Sequence, residues 1–346
     1  MAASGAIPAL RAQLRRLPGN KEAAWDLTGV AGFDHIGAQF LWNAWNGTRP
    51  RQLALTPAQE QVLRRVETAA ALVLPQRTST PWYSPAALNR RLHEIGSHLS
   101  SFVALIGQLA LDLARLAARP QRGPWREISA SVYHIGYQAL GITALVGFLI
   151  GVVLSYLSAQ QLHIFGGDIY LVNILGMSVI RELGPLLAAI LVAGRSGSAI
   201  TAQLGVMRVT EELDAMLVMN MPHGFRLIMP RVLALALAMP LLVVWTDAVA
   251  LLGGIAAAML QLDLAPSYFL HQLPNAVPIA NYAIGLGKGV VFGSLIALVA
   301  CHFGLRIEPD TESLGAGTTL SVVTAITSVI VADAVFAIIF KGVGFY

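Results

Sequence analysis

The sequence predicts a mainly α, polytopic membrane protein with an interfacial amphipathic helix and five transmembrane helices, preceded by a small N-terminal α/β domain. Three observations carry the prediction. Hydrophobic residues fill 55% of the 346 positions and charged residues only 12%, about half of the ~25% usual in soluble domains, and mean hydropathy is +0.64. Long apolar stretches recur after residue 130. Charge is also segregated, since 15 of the 23 Lys and Arg precede that residue.

That basic bias reads as cytoplasmic retention, because the basic residues are scattered and a large apolar portion follows; no nucleic-acid partner is expected. Met1 to Asn20 carries Arg11, Arg15 and Arg16 but no apolar core followed by a small-residue cleavage site, so no signal peptide is expected to be removed. The lone Cys301 excludes an internal disulfide and a cysteine metal cluster.

The head, 12–75, alternates strand and helix: a strand over Ala24–Thr28, a helix over Gly32–Trp45, a strand over Gln52–Leu55 and a second helix. The second helix has a clear start. Thr56 can cap, Pro57 suits the first helical position, and Gln59 completes a capping box before Val62, Leu63 and Val66. With Asp26-Leu27-Thr28-Gly29-Val30 leading into Asp34 to Phe40, these elements resemble part of a STAS domain over about fifty residues. Regulatory STAS domains carry a phosphorylatable serine where this chain reads Asp34-His35-Ile36-Gly37, which implies a docking or regulatory module over a phosphoswitch. A Pro/Ser/Thr-rich stretch, Pro75 to Pro85, opens a linker over 76–93.

Next, Ile95, Leu99, Phe102, Ile106, Leu109, Leu113 and Leu116 recur at steps of four and three, which puts them on one helix face. Ser101, Gln108, Asp112 and Arg115 interrupt the stretch, favouring a helix in the membrane interface; a coiled-coil seam is the alternative. Five spans follow, near Ile135–Leu157, Val172–Met207, Ile228–Leu260, Asn281–Leu305 and Leu320–Phe340. The loops at 159–171 and 261–280 lack Lys and Arg, whereas the head and the loop with Arg208 and Arg226 carry them. This predicts a cytoplasmic N-terminus.

Charges inside these spans are the informative residues. The second span reads Arg181-Glu182-Leu183-Gly184-Pro185 and then Ala193-Gly194-Arg195-Ser196-Gly197-Ser198-Ala199. As one helix it would extend ~54 Å against a hydrocarbon core of ~30 Å, so it is expected to break at Pro185 or leave the membrane. A charge at the bilayer centre costs ~2.5–3.5 kcal/mol, so Arg181 and Glu182 should face protein, each other or a wet cavity. They serve either as an internal ion pair or as substrate contacts, and the two can coexist. Asp247, Lys288 and Asp333 raise the same question; Lys288 and Asp333 lie at similar depth and are expected to pair, with a proton relay as the alternative.

Between the second and third spans, Thr210 can cap a short helix, Glu211, Glu212 and Asp214 suit its positive end, and Leu213, Met216, Leu217 and Met219 form an adaptable apolar face. Such a helix fits a partner's groove, or packs as an ordinary turn on its own chain.

The two second-span motifs, together with Met207-Arg208 and Glu211-Glu212-Leu213-Asp214-Ala215-Met216, closely resemble the MlaE (YrbE) permease family over 94–346, with Lys288 and Asp333 also at family-like positions. The resemblance implies a homodimeric ABC transporter permease of the Gram-negative inner membrane that moves phospholipid between inner and outer membranes and so maintains outer-membrane lipid asymmetry. It also implies separate cytoplasmic ATPase subunits that bind ATP and Mg, and a periplasmic ring of MCE-domain subunits. The residues it places at the lipid cavity or transport path are Arg181, Glu182, Arg195, Asp247, Lys288 and Asp333. Those it places at ATPase coupling are Glu211, Glu212, Leu213, Asp214, Met216 and Met219.

The chain has no G-x-x-x-x-G-K-[ST] phosphate loop, and Gly285-Leu286-Gly287-Lys288-Gly289 lacks its spacing and hydroxyl residue. It is therefore read as a permease and not an enzyme, with no metal set and no cofactor of its own. An ion-coupled secondary carrier of hydrophobic solutes and a membrane-anchored scaffold are the competing classes.

Overall fold

A computed structural model of the chain describes residues 24–30, 32–45, 47–71, 85–262 and 264–344. Residues 76–84 of the linker and residues 12–23, 31, 46 and 72–75 of the head lie outside them. The chain divides after Asn89 into two compact units.

The first unit is a β-α-β-α arrangement: β1 (Ala24–Asp26), α1 (His35–Ala44), β2 (Gln52–Ala54) and α2 (Pro57–Ala71). The strands pair in parallel with Trp25 opposite Leu53. The first three elements are a little shorter than expected, and local side-chain bonds bound two of them, β1 and α1. Asp34 accepts from the Gly37 amide at 2.8 Å and caps α1. Asp26 Oδ1 accepts from the Thr28 amide at 3.0 Å and hydroxyl at 2.6 Å, which closes β1 in a turn and holds the carboxyl below its usual pKa. The expected capping box is present, with the Thr56 amide donating to Gln59 Oε1 at 3.0 Å. Buried Gln59 also donates to the Leu27 and Val30 carbonyls at 2.9 and 3.1 Å, so a cap residue doubles as a tie between layers. Leu27, Ala38, Trp45, Leu63 and Val66 form the core.

The second unit is helical: α3 (Pro85–Ala118), whose first turn precedes the division, α4 (Trp125–Ile164), α5 (the continuous run Asp168–Val209), α6 (Glu212–Val218), α7 (Gly224–Leu262), α8 (Pro266–Ala276), α9 (Ile279–Leu305) and α10 (Thr311–Ile339). Six of these are long and apolar enough to cross a membrane, one more than the expected five; the addition is Gly96–Ala118 in α3. Its only formal charges, Asp112 and Arg115, pair at 2.9 Å. The buried seam of α3 is Leu105, Leu109, Asp112 and Leu116, while Leu99 and Ile106 are exposed, so the packed face is rotated from the expected one. Phe102 and Leu113 flank the core, and the side chain of Ile95 lies outside the described residues.

The α4–α7 contact is set by small residues. α4 buries Ala139, Thr143, Gly147, Gly151, Ser155 and Ala159 at four-residue intervals, one stripe on one face. A Cβ at Gly151 would collide with the Ala250 carbonyl, and one at Gly253 with the Phe148 carbonyl, so the backbones meet directly. Ser155 Oγ donates to the Gly254 carbonyl at 2.9 Å across this contact. Gly151→Val should therefore cost at least ~1–3 kcal/mol by overpacking. Gly141→Ala on the open face of α4, where a Cβ meets nothing, should cost nothing. Denaturation of both variants in detergent checks the difference; equal midpoints would remove the close-contact account.

The second span does not break at Pro185. Asp168–Val209 is a continuous helical run of 42 residues, ~63 Å at 1.5 Å per residue, so it must tilt within or extend beyond ~30 Å of hydrocarbon. The run absorbs its irregular residues in two π-helical turns, Ser178–Leu183 and Ala193–Gly197. A π-turn widens the helix by one residue and re-aims the side chains that follow. The two turns contain most of the two motifs singled out in the sequence.

Candidate functional site: a buried ion network and a projecting helix

Where the first π-turn meets α9 and α10, four charges alternate in sign. Arg181 Nε lies 3.5 Å from Glu182 Oε1. Glu182 Oε2 is in direct ion-pair contact with Lys288 Nζ, and Lys288 Nζ is 2.7 Å from Asp333 Oδ1. Lys288 is fully buried and Arg181 is 5% exposed. The set is formally neutral, which is the condition for holding ions in so apolar a place.

Several features of the sequence bring these groups together. α9 buries Gly285, Lys288, Gly289 and Gly293 on one stripe; a Cβ at Gly285 would meet the Ile180 carbonyl, and one at Gly293 the Leu235 carbonyl at 2.5 Å. The glycines draw α9 against its neighbours, so the lysine side chain can reach both α5 and α10. Pro185 has no N–H for the carbonyl four residues back, that of Arg181. Lys288 Nζ donates to that carbonyl at 3.2 Å.

Arg181 points the other way and donates to Asn281 Oδ1 at 2.8 Å, to the Val343 carbonyl at 2.6 Å and to the Phe340 carbonyl at 2.7 Å. Phe340 is the C-cap of α10 and its carbonyl also accepts from the Val343 amide at 3.0 Å, so the guanidinium adds a second donor to the turn that follows the helix and sits at the helix's negative pole. Three helices are thus fastened through one π-turn.

Arg181, Glu182, Lys288 and Asp333 are brought together; Arg195 and Asp247 do not join them. The Asp247 carboxyl abuts Gly184, where any Cβ would collide with it, and its Oδ1 has no hydrogen-bond partner among the described residues. Arg195, in the second π-turn, donates from Nη2 to Gln138 Oε1 at 3.3 Å and lines a separate cavity of about 410 Å³.

The segment between α5 and α7 is bracketed by two left-handed residues, Glu211 at φ 60° and Asn220 at φ 56°, so the chain turns sharply at both ends of α6. Thr210 does not cap α6. Its hydroxyl donates to the Val206 carbonyl at 3.0 Å, which ends α5, and Glu211 occupies the cap position. Asp214 accepts from Arg208 Nη1 at 3.2 Å. The apolar face is also split. Leu213 is buried and its carbonyl accepts from His223 Nε2 at 2.8 Å, while Leu217, Val218 and Met219 are 59%, 88% and 58% exposed. Glu211 and Glu212 are exposed and Met216 half-buried.

Sequence reasoning passed over Asn281, Gln138, His134 and Arg231. Arg231, in the apolar run from Met229 to Leu237, carried the same signal as Arg181; Asn281 and Gln138 acquire their roles only from partners 100 and 57 positions away.

Ionisable residues on membrane-length helices are rare, pair with one another and point to a path for ions or substrate, and this unit holds such a paired set. The model of the family described as Permease MlaE matches residues 128–339. A probable ABC transporter permease protein of Rickettsia felis is 30% identical over 70% of this chain and 94% of its own length. One from Synechocystis sp. is 30% identical over 61% of this chain and 80% of its own, and one from Pyropia yezoensis is 29% identical over 60% and 78%. The chain belongs to the MlaE permease family and is an ABC transporter permease.

Proposed function

We propose that this chain is the permease subunit of an ATP-driven phospholipid transporter between the inner and outer membranes of a Gram-negative bacterium, multi-pass in the inner membrane with a cytoplasmic N-terminus. The observation that carries the reading is the apolar tip of α6, where Leu217, Val218 and Met219 stand exposed on a turn between two long helices. A soluble motor must push on something, and such a tip is what a groove on an ATPase would receive. In this reading the ATPase binds ATP and Mg, closes on α6 and shifts α5 and α7, while the ion network keeps α5, α9 and α10 moving as one piece.

Two copies enclose the lipid. α10 buries only Ser321, Ala325 and Val329 and leaves Leu320, Val323, Ile330, Val331, Val335, Ile338 and Ile339 exposed, a face suited to acyl chains or to a second copy. α3 lies in the interface with its ion-paired end against polar headgroups, and the other five long helices span. The parallel β-α-β unit of the head supports a STAS-like docking module fused to the permease, and a periplasmic MCE-domain ring receives the lipid. An ion-coupled secondary carrier is the second reading, favoured by Asp247, whose half-buried carboxyl forms no ion pair with the described residues.

The test is lipid transfer by the chain reconstituted with its ATPase between labelled and unlabelled vesicles. The expected result is transfer that requires ATP and is indifferent to an imposed proton gradient. Transfer driven by the gradient without ATP would replace the proposal with the carrier reading.

A further inference from the structure

Four arginines of the helical unit are matched by an acid: Arg115 with Asp112, Arg181 with Glu182, Arg208 with Asp214, and Arg226 with Glu127 at 3.6 Å. Arg195 and Arg231, like Arg119, Arg126 and Arg306, form no ion pair with the described residues, and these two occur together around one cavity. Both line the cavity of about 410 Å³, with His134 and Gln138 from α4 and Gln203 from α5, and no Asp or Glu is among its lining residues. Gln138 uses its oxygen to accept from Arg195 and its amide to reach His134 Nε2 at 2.9 Å, so it holds the Arg195 fork without neutralising it. Arg231 Nη1 is buried without a hydrogen-bond partner among the described residues. Two uncompensated guanidinium groups beside apolar helices are costly, and their paired N–H donors match the oxygens of a carboxylate or phosphate. The lining of this cavity holds no carboxylate; the nearest that shares a cavity with Arg231 is Glu127, in the adjoining one, where it pairs with Arg226, so an anion in this cavity comes from outside.

We propose that this cavity is a phosphate-binding site, with Arg195 and Arg231 as its two cationic arms, and that the phosphate is a lipid headgroup. The headgroup assignment rests on the phospholipid reading above; the anion site does not. The second π-turn of α5 presents Arg195 to this cavity as the first presents Arg181 to the ion network, so one irregular helix serves two charged places. Arg231 also lines a neighbouring cavity with Glu127, Met216 and Met221, Met216 lying within α6 and Met221 just after the segment proposed to meet the motor. Displacement of that segment therefore reaches the site through one side chain.

The experiment is native mass spectrometry of the full chain in detergent, titrated with phosphatidylglycerol, with a betaine lipid of the same acyl chains but no phosphate, and with inorganic phosphate. Phosphatidylglycerol should be retained over the betaine lipid, and Arg195→Gln or Arg231→Gln should each weaken that retention about tenfold or more without changing betaine-lipid binding. Arg195→Lys should recover part of it. Arginine-dependent retention of inorganic phosphate without preference between the lipids would keep the phosphate site and assign it a free anion. Unchanged phosphatidylglycerol binding in Arg195→Gln overturns the proposal, and because Arg195 is exposed that variant decides even if Arg231→Gln does not fold. ATP-driven transfer that persists alongside arginine-independent lipid binding removes this site alone, whereas arginine-dependent binding with no transfer removes the transport reading alone.

Discussion

Lys288→Met should destabilise the chain by ~3–5 kcal/mol, the cost of leaving buried ions without their partner. Methionine keeps most of the side-chain volume, so the loss isolates charge from packing. It leaves Asp333 with no cation among its described ion pairs and Glu182 with only the longer contact to Arg181, and it strips the donor from the Arg181 carbonyl that Pro185 cannot serve. Adding Asp333→Leu should recover part of the loss, because the orphaned carboxylate is then gone too; the pair should show a coupling energy of ~0.5–3 kcal/mol in a double-mutant cycle. Reversing the two charges is the weaker probe, since the carboxylate introduced by Lys288→Asp would face Glu182. Unfolding in graded denaturant at fixed detergent measures all of these. A Lys288→Met variant within ~1 kcal/mol of the parent, below the range for a broken buried pair, would mean that the network is solvated and carries no load.

The reasons why this network was only half legible are physical. Lys288 and Asp333 stood out because a charge in an apolar run needs a reason, and similar depth suggested the partner; they do pair. The same logic gave no access to Glu182 as the second partner of Lys288, nor to the carbonyls of Phe340 and Val343 as partners of Arg181, since contacts spanning 106 to 162 positions depend on how helices cross. Pro185 misled in an instructive way. A proline inside a helix removes a donor, and in isolation that predicts a break, but here a π-turn and a lysine from another helix make good the loss and the helix continues. Local chemistry was read most securely where it is self-contained: Thr56 with Gln59, and the hydropathy of five spans, whose ends were less legible, since α4 runs from Trp125 to Ile164 where Ile135–Leu157 was expected. Thr210 failed as a cap because its hydroxyl had a nearer carbonyl behind it, in the last turn of α5. In α3 the apolar pattern was right and its phase wrong: when a helix is apolar on more than one side, periodicity alone does not choose the face that packs.

Replacing Leu217, Val218 and Met219 together with serine should leave the fold intact and abolish productive contact with the motor. All three side chains are exposed, and surface changes away from caps and cores usually stay within ±0.5 kcal/mol each. An interface centred on a few large apolar side chains, by contrast, loses ~2 kcal/mol or more when its anchors go, so affinity for the ATPase should fall ~30-fold or more and ATP-driven lipid transfer at least tenfold. Leu213→Ser is the informative contrast. Leu213 is buried under the same helix, so its polar replacement should lower the stability of the isolated chain, which the triple variant should not. Binding measured by titration of the purified ATPase, alongside unfolding of each variant, separates the two. If the triple variant binds the ATPase as tightly as the parent, the motor grips elsewhere, and the exposed tip of α6 must be explained as a membrane-surface contact, for which an apolar triplet beside Glu211 and Glu212 is poorly made.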